Sequence, residues 1–493
     1  MSMRFSPSKE AVKEIAAEGR FKVCPLSCEF LADRFTPIEV LRILKTVSNH
    51  CYLLESVEGK EKWGRYTFLG FNPKMEITYT GGTLSLGDKK VVTANPAQHI
   101  REVLDLYRSP KIEGMPPFTG GLVGYFAYDY FGDVEPAAHV DVYDEEDFRD
   151  LDLMLFDKVI AFDNYRQKII LIANIRLDDV ENGYDTAAKE LSELTDILFK
   201  KHHDIREERG GHLTGPVEPL FDREAFCAMV EKAKHYIHEG DIFQIVLSNR
   251  LSAPFEGSLL NTYRILRTIN PSPYMFYLCG TDVEVAGASP ETLVKLENGV
   301  LHTFPLAGTR PRGKTEAEDI ALEKDLLADE KELAEHNMLV DLGRNDLGKI
   351  SRFGSVEVEK YHSIERYSHV MHIGSTVRGE IDFEKYDALD AVGAVLPAGT
   401  LSGAQKIRAC QLIGELENNK RGIYGGAIGY IDFTGNLDTC IAIRIAYRKN
   451  GKVFVRSGAG IVADSVPEKE FEECLNKAAA VLSALKQAEE VQL

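Results

Sequence analysis

Strands that follow one another in hairpins are the feature that most constrains the fold of this chain. Two apolar runs meet at Asp163-Asn164, as in a β-hairpin, and the short segments MEITYT, GTLSLG and KKVVT follow one another earlier in the sequence. Strands do not alternate regularly with helices. The pattern therefore predicts an α+β fold with antiparallel sheets rather than a doubly wound fold.

The composition changes between residues 201 and 219, where KHHDIREERGGHLTGPVEP combines charge, glycine and proline without periodicity. Such a stretch is typical of a linker. With 493 residues, the chain is long enough for two or three domains or for one large composite domain. We therefore expect an N-terminal domain over residues 1–220 and a C-terminal domain over residues 221–493.

The charge and composition exclude several classes of protein. A net charge of -19 argues against a nucleic-acid partner, because such binding needs clustered Lys and Arg. No apolar run reaches membrane-spanning length, and the first residues lack the apolar core of a signal peptide. The cysteines are scattered without the second close pair that a zinc site needs. These features predict a cytoplasmic enzyme with reduced thiols and no membrane partner.

Two carboxylates stand out in the stretch 318–354, which is predicted to form one helix. Glu335 falls on the apolar stripe of this helix, and Glu332 borders the stripe. The other members of the stripe are Ala328, Leu339 and Leu342. Because an acid among apolar neighbours is costly and a second acid one turn away adds repulsion, a divalent cation would compensate both. The alternative is an acidic face turned to solvent.

The last predicted helix carries a second pair of acids. Its start reads as a capping box over residues 465–468, with proline in the first turn. Glu470, Glu473 and Lys477 share one face, beside an apolar stripe formed by Cys474, Ala478, Val481 and Leu485. If the two acidic pairs faced each other, they would form a Mg²⁺ site with open positions for an anionic ligand. The alternative is again a solvated face, which we accept for Glu472.

A glycine-rich stretch, SGAGIVADS at residues 457–465, is predicted to follow the strand KVFVRS and to precede a helix, and it imitates the dinucleotide-binding fingerprint. The match is weak, because the helix that follows runs to the end of the sequence and no second strand completes the unit. Glycines here can instead offer backbone N–H groups to an anion. Amidotransferase, serine hydrolase and Walker signatures do not occur in the sequence.

Taken together, several stretches closely resemble the chorismate-utilising enzymes. They are LLESVEG, PLAGTRPRG, KELAEHNMLVDLGRNDL, RYSHVMHIGS, AGTLSGAQKIRA, RGIYGGAIGY, AIRIAY and RSGAGIVADSVPEKEFEE. Within that family, the chain resembles the large subunits that form anthranilate. The resemblance implies antiparallel sheets packed as a sandwich, with helices on the outer faces.

The resemblance also implies a metal site and substrate contacts. Glu335 and Glu473 match direct Mg²⁺ ligands, and Glu332 and Glu470 match acids linked to the metal through water; the metal would hold the ring carboxylate of chorismate. The residues that match substrate contacts are Gly458, Ala459 and Gly460 through their backbone, Tyr424 and Arg444 on the enolpyruvyl carboxylate, Thr309 and Thr400 through their hydroxyls, and Lys477.

Glu291 matches the general acid of the family, which protonates the departing C4 hydroxyl, and His372 matches a histidine near that leaving group. Such an acid must be held protonated near neutrality. Gln244 stands where isochorismate and salicylate synthases carry a lysine that activates water, and glutamine cannot act as a base. Ala307 stands where aminodeoxychorismate synthases commonly carry a nucleophilic lysine. Both departures favour ammonia as the nucleophile and anthranilate as the product.

The implied activity is that of a Mg²⁺-dependent lyase that converts chorismate and ammonia into anthranilate and pyruvate at the first step of tryptophan biosynthesis. Ammonia would come from a separate glutamine amidotransferase subunit, in a heterotetramer of two large and two small subunits. The alternatives are an aminodeoxychorismate synthase that functions without the lysine, and a non-catalytic tryptophan-sensing subunit. The latter is disfavoured, because Glu291, Glu335 and Glu473 are all present.

A tryptophan-inhibition site is also implied by the resemblance. Its residues would be Leu54, Glu55, Ser56, Pro273, Tyr274 and Met275. A carboxylate and a hydroxyl suit the amino group of L-tryptophan, and the proline, aromatic and methionine side chains suit an indole wall. Without the resemblance, ordinary strand and turn residues would explain the same pattern.

Overall fold

The computed structural model describes residues 3–56, 64–200, 210–366 and 370–491. Its helices are α1 (Lys9–Ala17), α2 (Pro37–Lys45), α3 (Pro96–Asp105), α4 (Phe131–Val134), α5 (Val180–Lys200), α6 (Arg223–His238), α7 (Leu260–Ile269), α8 (Glu316–Ala328), α9 (Glu330–Gly348), α10 (Ala388–Val395), α11 (Lys406–Glu417) and α12 (Pro467–Gln487).

The strands of the first half are β1 (Val23–Leu31), β2 (Cys51–Glu55), β3 (Tyr66–Phe71), β4 (Met75–Thr80), β5 (Thr83–Leu86), β6 (Lys89–Val92), β7 (Gly121–Phe126), β8 (Leu151–Phe156), β9 (Lys158–Asp163), β10 (Lys168–Arg176), β11 (His212–Leu213) and β12 (Glu218–Pro219). Those of the second half are β13 (Gln244–Glu256), β14 (Tyr274–Cys279), β15 (Glu284–Ser289), β16 (Thr292–Glu297), β17 (Val300–Thr303), β18 (Leu306–Pro311), β19 (Glu357–Arg366), β20 (Val370–Glu380), β21 (Gly403–Ala404), β22 (Ala427–Asp432), β23 (Leu437–Ile441), β24 (Ile445–Lys449) and β25 (Lys452–Ile461).

Two large antiparallel sheets form the centre of the fold. The first has the order β1-β10-β9-β3-β2-β14-β15-β24-β25-β13-β11, with β12 and β21 also paired to β13. The second has the order β18-β20-β17-β16-β23-β22-β7-β8-β4-β5-β6, with β19 paired to β20. The predicted hairpin at Asp163-Asn164 is the β9–β10 ladder. These ladders confirm the α+β, antiparallel prediction.

The sheets pack face to face over an aromatic core, in which Tyr52 and Phe276 of the first sheet meet Tyr125 and Met154 of the second. On the outer face of the first sheet, apolar side chains of α2, α5, α7 and α12 form another core, and on the outer face of the second sheet those of α3, α9 and α10 do the same. The structure is therefore the predicted sandwich with helices outside. Burial of this apolar area is the main driving force for the packing.

Each sheet contains strands from both sides of residue 220: β2 pairs with β14 in the first sheet, and β7 pairs with β22 in the second. The proposed linker begins within 201–209, outside the described residues, and its end, residues 210–219, contributes two short strands to β13. Neither sheet is interrupted at residue 220, and the division of the chain into two domains there stays a prediction.

Three local predictions were wrong. The acidic segment forms two helices, because the side chain of Asp329 accepts hydrogen bonds from the backbone N–H groups of Lys331 and Glu332 and so caps a new helix. Ala328 ends the first of these helices and is exposed, so it does not share a stripe with Glu335. At the last helix, the N-cap is Val466 rather than Ser465, whose hydroxyl instead accepts a hydrogen bond from the Val462 N–H.

The third wrong prediction concerns the glycine-rich stretch. Residues 457–461 belong to a strand instead of following one. Residues 458–460 lie within β25 and pair with residues 246–248 of β13. The β24 ladder on the other side of β25 ends at Phe454. Among the described residues, the outer edge of 455–461 therefore has no ladder partner, which leaves backbone groups for other contacts.

Within the described residues, none of the helices combines the length and the apolar composition that crossing a bilayer requires.

Candidate active site

Glu291 lies in the short connection between β15 and β16, at a cavity of about 50 Å³. Thr292, Thr400 and Leu339 also line this Glu291 cavity. Burial raises the pKa of Glu291 to about 7, although a hydrogen bond from Thr400 and the charge of Lys477 oppose the shift. The Thr400 hydroxyl donates to Glu291 Oε1 at 3.2 Å. A carboxyl group with this pKa can hold a proton near neutrality and release it to a leaving group.

The acids of α9 lie at the start of that helix, and one of them contacts β13. Burial, followed by the charge of Glu332, raises the pKa of Glu335. The side-chain amide of Gln244 donates to Glu335 Oε1 at 3.4 Å, and the charges of Lys331 and Lys477 oppose the increase. Two sequence predictions are thereby brought together, since Gln244 and Glu335 are in contact across two elements.

The acids of α12 are arranged in the same way. Burial raises the pKa of Glu470, and the charge of Glu473 adds to the effect. The Lys477 ammonium lies 2.6 Å from Glu473 Oε1 and donates to the Gly458 carbonyl at 3.0 Å. The charge of Lys477 reaches Glu335, and that of Lys331 in α9 reaches Glu470, so the two acidic faces lie near each other.

We call the set formed by Glu291, Glu332, Glu335, Glu470, Glu473 and Lys477 the acidic cleft. Its carboxylates are hard oxygen donors of the kind that Mg²⁺ prefers. In the part of the chain that the structure describes, no three His, Cys, Asp or Glu side chains are close enough together to form a ready-made metal site. The carboxylates of the two helices therefore lie in two separate pairs, Glu332 with Glu335 on α9 and Glu470 with Glu473 on α12.

Gly458 and Gly460 permit close approach at the floor of the cleft. A Cβ atom at Gly458 would lie 2.7 Å from the Leu247 carbonyl oxygen and 3.0 Å from the Tyr424 hydroxyl. One at Gly460 would lie 2.8 Å from Gln244 Nε2. A side chain at Gly458 would collide with the backbone of β13, and one at Gly460 would displace the end of the Gln244 side chain, which is a predicted site residue.

Arg444 adopts a left-handed backbone conformation, with φ at 56°, which is uncommon for a residue with a side chain. Its guanidinium donates to the backbone carbonyl of Lys477. Burial lowers the pKa of Arg444, whereas Tyr424 and Glu473 raise it. The strained backbone thus brings a buried cation next to two other predicted site residues.

His372 and Thr309 form a separate pair on the edge of the second sheet, where they are directly opposite in the β18–β20 ladder. His372 Nδ1 lies 2.9 Å from the Gly308 carbonyl oxygen and 3.1 Å from Thr309 Oγ1. Burial lowers the pKa of His372, and the Gly308 carbonyl opposes this. Because the carbonyl can only accept, Nδ1 carries a proton, and the lowered pKa favours the neutral form of the ring.

The sequence analysis missed a buried ionic network behind Gly458. Glu417 accepts hydrogen bonds from Arg421 at 2.6 Å and from Arg456 at 2.7 Å, and Arg456 also donates to Ser248 at 2.8 Å. All three charged side chains are almost fully buried, and the two arginines lower the pKa of Glu417 against the effect of burial. Both arginines stand in the family-like stretches, RGIYGG and RSGAG, but nothing in the sequence pairs them with Glu417.

All six residues predicted for tryptophan inhibition line one cavity of about 840 Å³, which we call the β2–β14 pocket. They are Leu54, Glu55, Ser56, Pro273, Tyr274 and Met275, and the walls also include Tyr430, Asp438 and Cys440. Leu54 and Glu55 pair with Phe276 and Met275 across the β2–β14 ladder.

The carboxylate of Glu55 already has partners. Arg267 Nε and the second terminal nitrogen of its guanidinium lie 2.5 and 3.1 Å from the two Glu55 oxygens, and the Tyr263 hydroxyl donates to the same group. A bidentate arginine of this kind uses most of the acceptor capacity of a carboxylate. Glu55 therefore shapes the pocket wall, which changes the sequence interpretation that its carboxylate suits a ligand ammonium.

Comparison with known proteins places the chain in a family. A sequence profile for chorismate binding enzymes matches residues 49–483. The chain is 45% identical over 497 aligned residues to "Anthranilate synthase component 1" of Acetivibrio thermocellus, covering 99% of this chain and 100% of that protein. It is also 45% identical to the protein of the same name from Aquifex aeolicus, with 99% and 100% coverage. The chain belongs to the chorismate-binding enzyme family.

Solved structures agree with this assignment. The crystal structure of anthranilate synthase component I from Streptococcus pneumoniae superimposes with a TM-score of 0.76 at 38% identity, covering 87% of this chain and 93% of that one. The menaquinone-specific isochorismate synthase of Escherichia coli superimposes with a TM-score of 0.70 at 20% identity, covering 97% and 99%. At that identity, the second likeness shows a shared fold only.

Proposed function

We propose that the chain is the large, chorismate-binding component of an anthranilate synthase, which converts chorismate and ammonia into anthranilate and pyruvate. The observation that carries this proposal is the full-length similarity to proteins named anthranilate synthase component 1. The contact between Gln244 and Glu335 supports the choice of nucleophile. An amide at this position cannot take a proton from water, so ammonia, which needs no such activation, is favoured.

Mg²⁺ is the proposed cofactor, and the residues of the acidic cleft fit it. Burial, and after it the repulsion from a neighbouring carboxylate, raises the pKa values of Glu335 and Glu470, and a bound dication would relieve both effects. Glu335 and Glu473 would hold the ion, with Glu332 and Glu470 acting through water. When bound, the metal would neutralise these carboxylates and the ring carboxylate of chorismate.

The residues of the chain divide the remaining work. Arg444 and the Tyr424 hydroxyl would bind the enolpyruvyl carboxylate, and the backbone of 458–460 and the Lys477 ammonium would bind the ring carboxylate. Glu291, protonated, would donate its proton to the C4 hydroxyl, which leaves as water while ammonia forms a bond to C2. The ammonium group formed at C2 would return one proton to Glu291. Loss of the C2 proton with cleavage of the ring C–O bond to the enolpyruvyl group, and protonation of the released enolpyruvate, would then give the aromatic product and pyruvate. His372 would lie near the leaving group, with Thr309 orienting its ring.

The partner and the inhibitor are proposed with the same function. Ammonia would be delivered by a glutamine amidotransferase component in a heterotetramer, and L-tryptophan would inhibit from the β2–β14 pocket. The cytoplasm is the proposed location. Aminodeoxychorismate synthase activity remains the second candidate, but Ala307 on β18 offers no nucleophile for the covalent route that the lysine serves.

The test is to mix the purified chain with chorismate, Mg²⁺ and an ammonium salt at alkaline pH and to follow anthranilate fluorescence and pyruvate release. We expect both products in equal amounts, and no appreciable isochorismate when ammonia is withheld. Gln244→Lys is the matched variant, because it restores the water-activating residue of the isochorismate synthases. Isochorismate as the main product of the wild-type chain, or a 4-amino product with ammonia, would contradict the proposal.

A further inference from the structure

The β2–β14 pocket and the Glu291 cavity are joined by three hydrogen-bonded side chains, which we call the Tyr274 cluster. The Tyr274 hydroxyl lies 2.8 Å from Asp438 Oδ1 and 3.0 Å from Thr292 Oγ1. Tyr274 and Asp438 line the β2–β14 pocket, whereas Thr292 lines the Glu291 cavity. The cluster therefore has one end in each site, and Thr292 is the residue that follows Glu291 in the chain.

The directions of the hydrogen bonds follow from chemistry. An ionised Asp438 can only accept, so the Tyr274 O–H donates to it and the tyrosine oxygen is left to accept from the Thr292 hydroxyl. Burial raises the pKa of Asp438, while Lys295 and the Tyr274 hydroxyl lower it. Thr292 thus donates to Tyr274 and Tyr274 donates to Asp438, so each hydroxyl donates one hydrogen bond. A movement of the tyrosine hydroxyl therefore changes both hydrogen bonds.

The backbone strengthens the connection. The Ile441 N–H donates to the Glu291 carbonyl at 2.9 Å, and the Ser289 hydroxyl donates to the Ile441 carbonyl at 2.6 Å. Thr292 pairs with Cys440 at a register shift in the β16–β23 ladder. Glu291 is therefore fixed by β23, the same strand whose Asp438 and Cys440 form part of the pocket wall.

We propose that the Tyr274 cluster positions Glu291 and couples occupancy of the β2–β14 pocket to catalysis. A ligand seated against Tyr274 displaces its hydroxyl, Thr292 loses its acceptor, and the adjacent Glu291 moves away from the leaving group. Because coupling is reciprocal, chorismate binding must weaken ligand binding in the pocket by the same factor. This inference rests on the proposed function, which supplies the roles of Glu291 and of L-tryptophan.

The test uses Tyr274→Phe, which removes only the hydroxyl and keeps the ring in the wall, and Thr292→Val, which acts from the Glu291 cavity. We expect both variants to lower kcat by about 10-fold or more with KM for chorismate within about threefold, since proton donation rather than binding is impaired. The pH at which kcat is half lost should also move. Thr292→Ser keeps the hydroxyl and should restore wild-type behaviour.

Coupling is measured by calorimetric titration of L-tryptophan with and without saturating chorismate and Mg²⁺. In the wild type the two Kd values should differ by about 5- to 150-fold, and in both variants the ratio should fall towards one. Wild-type coupling retained in Thr292→Val would overturn the proposal, and this holds even if Tyr274→Phe no longer binds tryptophan. These results can be distinguished from a failure of the proposed function. In that case the wild-type chain itself would form no anthranilate or would not bind tryptophan.

Discussion

The acidic cleft and the β2–β14 pocket both contain partly buried carboxylates, but the charges of Glu291, Glu335 and Glu470 in the cleft are compensated differently from that of Glu55 in the pocket. In the cleft, burial raises the pKa values of Glu291, Glu335 and Glu470. In the pocket, Glu55 accepts hydrogen bonds from Nε and one terminal nitrogen of Arg267 and from the Tyr263 hydroxyl. The three acids of the cleft thus keep a charge that is incompletely balanced, as does Asp438 of the pocket wall, whose pKa burial also raises, whereas Glu55 is neutralised by neighbouring side chains.

Under the proposed function, this difference separates carboxylates that a charged ligand would complete from a carboxylate, Glu55, that is already paired. A buried charge without full compensation lowers stability, so such a cluster persists where a ligand or a reaction uses it. A carboxylate with a bidentate arginine is a structural element, and what it offers a ligand is shape. Five variants with two matched controls, and one binding measurement, test whether this difference holds.

The largest effect is expected from the paired acids of the cleft. Glu335→Gln and Glu473→Gln should each abolish measurable turnover, a loss beyond the roughly 10- to 100-fold that indirect contacts to a metal contribute. The circular dichroism spectrum should stay that of the wild type. Glu472→Gln is the matched control, since Glu472 is exposed on the same helix and pairs with Arg223 at 3.4 Å. Near-normal activity in both cleft variants would contradict the assignment of Glu335 and Glu473 as metal ligands.

Glu291→Gln should lower kcat by about 100- to 10,000-fold, the range that general acid catalysis contributes. The pH dependence follows from the pKa of about 7. Below that pH the carboxyl is protonated and can donate, so at a fixed concentration of free ammonia kcat should fall as the pH rises through about 7. The variant should lack this dependence. A wild-type rate that stays constant from pH 6 to pH 8 would show that Glu291 is not the acid.

A smaller effect is expected from filling the β2–β14 pocket. Ser56→Phe should raise the tryptophan concentration needed for half inhibition by about 10-fold or more, equivalent to about 1.4 kcal/mol, because the ring occupies the ligand's space. Catalysis should be largely retained, since the proposed catalytic residues lie elsewhere in the chain. The measurement is the activity of the wild type and of the variant as a function of tryptophan concentration. Superimposable inhibition curves would place the inhibitor in another site.

The smallest effect concerns the pair that completes the pocket wall. Arg267→Met leaves Glu55 with Tyr263 alone and should lower the free energy of unfolding by about 1–3 kcal/mol, the cost of leaving a buried polar group short of a partner. Arg264→Met on the same helix is the control, since Arg264 bonds Asn261 at 2.9 Å instead. Urea unfolding of both variants measures the difference. Equal stabilities would mean that Glu55 does not need its arginine.

Local pattern predicted much of the fold and the two acidic pairs, whereas the other candidate site residues came from the resemblance to the chorismate-utilising enzymes. The hairpin at Asp163-Asn164 and the apolar stripe of α12 are present as expected, because each depends on residues a few positions apart. The break between α8 and α9 was not predictable from periodicity, because Asp329 caps α9 while Arg310, a residue of β18, pairs with it at 2.8 Å.

Long-range pairing explains the other differences. Residues 458–460 became strand because β13, about two hundred residues earlier, supplies their partners. Likewise, the Glu417 network joins β13, α11 and β25, and no spacing in the sequence records such contacts. Gln244 and Glu335 were each predicted, but their contact across two elements could be seen only in the structure.

The central claim is that the acidic cleft keeps incompletely balanced carboxylates for a dication and an anionic substrate to complete. The direct measurement is a calorimetric titration of chorismate into the wild-type chain with Mg²⁺ and with a chelator, alongside a Mg²⁺ titration with and without chorismate. We expect Mg²⁺ to tighten chorismate binding by about 10-fold or more, and chorismate to tighten Mg²⁺ binding by the same factor. Chorismate affinity that is equal with Mg²⁺ and with the chelator would contradict it.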